Sequence, residues 1–213
     1  MIFGDALISI EELCEELRRR IPELAVDDSN RAYTMAVKEA LAEVAEALDL
    51  RMFCTDSDRK TKEFLLDFVL WSDKPGEQKS VLAVESEWGK PGDKNVKNRA
   101  DQVVEDFEKL LVFKAPLKLM LFQADDEGMR RAIHNGLREY LTTFAQHVKG
   151  EQYLFMEFSH GHCYSYTWAA SNDGLCPNAH LRAMDAKSEN ARTFRKRAAA
   201  ATRDATPVVP ASR

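Results

Sequence analysis

Val81 to Val84 is a short apolar run with β-branched residues, and it ends in two carboxylates, Glu85 and Glu87, with a single serine between them. Such a run reads as a buried strand. Side chains two apart on a strand share a face, so both carboxylates should project into one small volume. Like charges held that close repel, and burial adds to the cost. A cation is therefore expected between them, and a divalent ion bound through oxygen suits the ligand type. The plain alternative is a polar strand end with two solvated glutamates.

A second run, Glu63 to Trp71, is also strand-like and carries one acid, Asp67, among large apolar residues. A charge in that setting is expensive unless it is paired or bound to a metal. The polar connection Ser72 to Lys79, with Pro75-Gly76, reads as a hairpin turn. Antiparallel pairing of the two runs would bring Asp67 beside Glu85 and Glu87, and three carboxylates on one sheet surface make a reasonable Mg²⁺ site.

The remaining segments supply the rest of a layered fold. Ser9 to Glu12 matches a capping box, and the helix that follows, over 9–21, has acids early and bases late. Pro22 is expected to end or kink it. Arg31 to Leu50 has Val37, Leu41, Val44 and Leu48 at helical spacing, with Glu39, Glu43 and Glu46 on the opposite face. Those acids are by default solvated, although Glu39 could serve the carboxylate cluster as an auxiliary ligand. Arg51 to Lys62 reads as an exposed polar connection or hairpin, and Gly89 to Asn95 as a Gly/Pro-rich loop without a phosphate-loop pattern. Helical periodicity returns over Val96–Phe113 and Glu127–Val148, with strand-like runs at Leu117–Phe122, Gln152–Phe158 and Cys163–Ala169. The class is α/β or α+β, a sheet flanked by helices.

Residues 1–181 read as one domain, with a core over 31–170 and the first helix appended to it. Residues 182–213 form a basic tail, partly helical or disordered. Eight Lys/Arg against three acids give that tail a net charge of +5, so the overall charge of −5 leaves −10 on the body. An acidic body does not advertise nucleic-acid binding, and the tail could supply sequence-independent attraction to phosphates. Four scattered cysteines without a C-x-x-C pair suggest a reducing, cytoplasmic setting. No apolar run is long enough to span a bilayer, and a homodimer stays open.

A helix, a strand carrying Asp67, a hairpin, a strand carrying Glu85-x-Glu87, and then helix-strand-helix together resemble the PD-(D/E)XK nuclease superfamily over roughly Arg31 to Phe158. The resemblance implies a restriction-endonuclease-like core with a central mixed sheet, and metal-dependent hydrolysis of DNA or RNA phosphodiesters. It makes Asp67 and Glu85 ligands of Mg²⁺ or Mn²⁺, and Glu87 a further ligand or the general base. The superfamily's third position is usually lysine, which here is Glu87. A minority of type II restriction enzymes have E-x-E there, and others place the lysine on the following helix. Lys97, on the flank of that helix's apolar stripe, is the better geometric choice, with Lys109 as the other candidate. Trp88 could stack on a base, though a packing role is its default.

Four alternatives compete. The scaffold could be catalytically degenerate and act as a binding or regulatory module, or the three acids could be unrelated surface groups. His160, His162, Cys163, Cys176 and His180 are zinc-ligand types, but without a C-x-x-C knuckle zinc is disfavoured. A Cys/His nucleophilic pair there lacks an orienting acid.

Overall fold

The structure, a computed structural model, describes residues 8–25, 27, 29–54, 65–89, 95–159, 162–171 and 174–177. The C-terminal tail over 182–213 therefore lies outside the described residues. The protein is α/β: one seven-stranded mixed sheet with two helices on each face.

Two helices come first, α1 (Ile10–Leu24) and α2 (Asn30–Ala47). The capping box forms as expected, with Ser9 Oγ accepting from the Glu12 amide and the Glu12 carboxylate accepting from the Ser9 amide. Pro22 does not end α1 at residue 21. It sits in the last turn, where its missing N–H removes one bond, and the Ala25 amide still donates to the Ile21 carbonyl at 2.9 Å. Nor is α1 peripheral. Leu13, Cys14, Leu17 and Ile21 are buried in the same cluster as Val37 and Leu41 of α2.

The strands are β1 (Arg51–Cys54), β2 (Phe68–Ser72), β3 (Lys79–Glu87), β4 (Leu117–Gln123), β5 (Gln152–Ser159), β6 (His162–Ser171) and β7 (Gly174–Pro177). They lie in the sheet in chain order. The first three form an antiparallel meander, β3, β4 and β5 run parallel, and β6 and β7 return antiparallel. The strand expected over Glu63–Trp71 begins only at Phe68. The polar connection after residue 50 opens with an extra four-residue strand, β1.

The parallel steps are bridged by α3 (Val96–Val112) and α4 (Glu127–Thr143). Right-handed crossovers between strands added in one direction put both helices on one face, and the other face is left to α1 and α2. Alternation along β3 shows the division, with Leu82 and Val84 in the α1/α2 cluster and Ala83 in the α3/α4 cluster. The helix expected to reach Val148 stops at Thr143. Thr142 and Thr143 turn their hydroxyls back onto the carbonyls of Arg138, Glu139 and Tyr140, a competing bond that weakens a helix end. Among the described residues no helix is long and apolar enough to cross a membrane.

Candidate functional site

Asp67 immediately precedes β2, and the Phe68–Val84 pairing carried one residue further sets it opposite Glu85. It takes the same face as Glu85 and Glu87, the one covered by α3. One oxygen of Asp67 accepts from the Ser86 amide at 2.9 Å and from the Ser86 hydroxyl at 2.8 Å. The serine between the two glutamates thus anchors the acid on the neighbouring strand. Glu87 turns back on its own chain and accepts from the Gly89 amide at 2.5 Å.

The fourth wall is a polar flank of α3. Arg99, Gln102, Asp106 and Lys109 recur at helical spacing beside the apolar stripe of Val103, Phe107 and Leu110. The Lys109 ammonium lies 2.6 Å from Asp106 and 3.5 Å from Glu85. Lys97, the residue favoured on helical phase, is exposed, and Lys109 is the lysine that meets the acids. A four-carbon stem lets a residue off the apolar stripe reach the sheet. Glu39 is exposed on α2, on the opposite side of the sheet from this cluster.

Burial dominates the electrostatics. Glu85 is 2 % exposed, and desolvation, followed by the charge of Asp67, pushes its pKa up to about 8. Desolvation also raises Asp67, against the two Ser86 hydrogen bonds, and Glu87, against the Gly89 amide. Burial works against the Lys109 charge, but Asp106, Glu85 and Asp67 outweigh it and its pKa is raised. Glu85 Oε1 is buried and accepts no hydrogen bond, its cationic neighbour being the Lys109 ammonium at 3.5 Å. Among the described residues, no group of three or more His, Cys, Asp or Glu side chains is arranged to hold a metal ion. Mg²⁺ does not need such a cage, since it is held by one or two carboxylates with water and substrate phosphates completing its shell. The carboxylates of Asp67 and Glu85 are oxygen donors of the kind that ion takes.

Trp88 turns to the other face. It packs at 5.2 Å on Tyr33 and 5.6 Å on Phe158 within the α1/α2 cluster, so packing is its role here. Cys163 lies against that cluster, with burial pushing its thiol up to about 12. His162 is exposed beside it on β6. His160, His180 and the side chain of Cys176 lie outside the described residues.

Gly89 closes the site. Its φ of +66° is a left-handed conformation, and a Cβ there would fall on the Arg99 guanidinium. Arg99 is buried, and its charge acts on Glu87 while its Nη2 donates to the Gln123 carbonyl at 3.3 Å. Gly89→Ala is expected to cost about 2–3 kcal/mol, combining left-handed strain with displacement of a buried cation. Chemical denaturation measures it, and a loss below about 0.5 kcal/mol would mean that Arg99 yields freely.

Sequence reasoning missed Arg99 and Asp106, whose spacing on α3 matched an ordinary solvated face. It also missed Glu157 on β5, although that residue carries the signal that marked Asp67, a lone charge in an apolar strand. No protein-family model and no curated protein matches this chain.

Proposed function

We propose that the protein is a divalent-metal-dependent nuclease with a restriction-endonuclease-like core. The observation that carries this reading is the carboxylate cluster at the carboxyl end of β3, with the half-buried Asp67 and the buried Glu85 on one sheet face and Lys109 3.5 Å from Glu85 Oε1. The order α2-β1-β2-β3-α3-β4, with an antiparallel meander followed by a parallel step, supports it. So does Lys109, which stands on the following helix and supplies the cation missing from the third motif position.

Mg²⁺ bound here would polarise the scissile phosphate and lower the pKa of the attacking water. Asp67, oriented by Ser86, and Glu85 would hold it through oxygen. Glu87 would orient the water and take its proton. Lys109 faces the charge that develops on the phosphate.

A second reading, a catalytically degenerate scaffold, draws support from Glu85. A carboxyl group that titrates near 8 is largely protonated at neutral pH and is then a poor ligand. Calorimetric titration with Mn²⁺ and Mg²⁺, run beside cleavage of plasmid, single-stranded DNA and RNA, separates the two. The nuclease reading expects metal binding and cutting, both lost in Asp67→Asn. Metal binding without cutting of any substrate supports the scaffold, and absence of both binding and cutting overturns the site.

A further inference from the structure

We propose that Arg130 and His134, fixed by the buried Glu157, form a phosphodiester-gripping subsite that holds the nucleic-acid strand beside the carboxylate cluster; this rests on the nuclease reading above. Glu157 is fully buried on β5 and divides its two oxygens. Oε1 accepts from Arg130 Nε at 2.6 Å, and Oε2 lies 2.9 Å from His134 Nε2. A carboxylate can only accept, so Nε2 carries the ring proton and Nδ1 is the nitrogen left for another partner.

Each of the two side chains is also held by a ring. The Arg130 guanidinium lies 4.7 Å over Tyr164, and the His134 ring is 4.7 Å from Tyr166. Arg130 Nη1 further reaches Glu127 at 3.3 Å. Both side chains nevertheless stay open to solvent, 31 % for Arg130 and 35 % for His134. One sunken carboxylate orients both side chains, and each keeps a face outward, with the Arg130 guanidinium suited to receiving an anion.

The register shows which anion the position favours. Glu87 pairs with Phe122 on β4, and Phe122 pairs with Glu157 on β5, so the three lie in one row on the α3/α4 face. At ~4.8 Å per strand, Glu157 stands about 10 Å from Glu87. That span equals roughly three base-pair rises of ~3.4 Å measured along a duplex axis. A backbone laid across the carboxyl ends of the parallel strands, the usual ligand position in such sheets, would leave Lys109 and meet His134 and Arg130. Arginine suits a phosphate through its paired donors, and the His134 ring stands beside it on the same carboxylate.

The test is binding of a fluorescent single-stranded DNA 12-mer, read by anisotropy in Ca²⁺ over a series of salt concentrations. Thermal melts check that each variant is folded. Arg130→Gln combined with His134→Gln is expected to weaken binding about 10-fold and to reduce the log–log salt slope by about 1 or more. Arg130→Lys, which keeps the charge, should retain most of the slope. A merely structural role would lower the melting temperature and leave the slope of the folded protein unchanged, and that result overturns the subsite while the nuclease reading stands. If the wild type binds DNA through these residues yet takes up no Mn²⁺ and cuts nothing, the subsite survives and the nuclease reading fails. If the wild type binds no DNA at any salt concentration, the subsite is overturned.

Discussion

Glu85→Gln is expected to abolish cleavage, by about 10³-fold or more, while making the metal-free protein more stable at alkaline pH. An ordinary core substitution does the reverse, since most changes at buried positions destabilise. The reason lies in the folded-state titration of Glu85, raised from 4.5 to about 8 by desolvation and the neighbouring Asp67. A carboxyl group whose pKa is raised on folding binds its proton more tightly in the native state. Its penalty is absent below about pH 4.5, grows as pH rises through the interval, and is complete above about pH 8. The full penalty is on the order of 5 kcal/mol. Glutamine removes it, and the expected net gain at pH 8.5 is about 1–3 kcal/mol, or roughly 3–8 °C in Tm for a chain of this length. Near pH 4.5 the two proteins should melt together. Mg²⁺ added at pH 8.5 should stabilise the wild type and not the variant, because a ligand stabilises only the form that binds it. A Glu85→Gln protein that melts no higher than the wild type at pH 8.5 would show that Lys109 already neutralises the site, and would remove the main physical reason for expecting a metal there.

That test depends on residues whose importance was unevenly visible in the chain. Lone charges inside apolar strands were the informative signal, and there are three: Asp67 before β2, Lys118 in β4 and Glu157 in β5. Each lies on the α3/α4 face, and each meets partners that the strand pattern alone does not supply. Asp67 was singled out because a second acidic run lay one hairpin away, within reach of local reasoning. Lys118 and Glu157 find their partners across crossovers of more than 20 residues, at Glu151 and at Arg130 and His134. Those pairings become visible only once the sheet order is known. The lysine of the site was misjudged for a related reason. Helical phase locates Cβ atoms, whereas Lys109 reaches Glu85 with the far end of a long chain. The long helices and the parallel strands were legible because their periodicity spans many residues. The four-residue strands β1 and β7 offered no period to detect.

Of those three buried charges, Lys118 carries the largest expected cost in stability. Its side chain is completely buried toward the amino-terminal ends of the parallel strands, one strand over and two residues back from Glu85. Nζ donates to Glu151 at 3.0 Å and to the Leu111 carbonyl at 3.2 Å, and lies 3.4 Å from the Tyr153 hydroxyl. Tyr153 donates to the other Glu151 oxygen at 2.8 Å, and that same oxygen accepts from the Val148 amide at 3.1 Å. His147 closes the network, with Nδ1 2.8 Å from the Tyr153 hydroxyl and Nε2 2.7 Å from the Leu141 carbonyl. The ends of α3 and α4 and the starts of β4 and β5 are thereby tied at one point. Burial lowers the Lys118 pKa against the pull of Glu151, so the ion pair is already strained by desolvation, and its removal is a matter of what stays behind. Lys118→Met preserves volume but strands a buried carboxylate and the Leu111 carbonyl, and is expected to cost about 3–5 kcal/mol in urea denaturation. Adding Glu151→Gln to that background should recover half or more of the loss, because the amide oxygen can still serve Val148 while the charge is gone. If Lys118→Met alone costs less than about 1 kcal/mol, water reaches Glu151 and the cluster is not the dry junction described here. If the double variant is no better than the single, the loss comes from the Leu111 and Tyr153 contacts rather than from the unpaired charge.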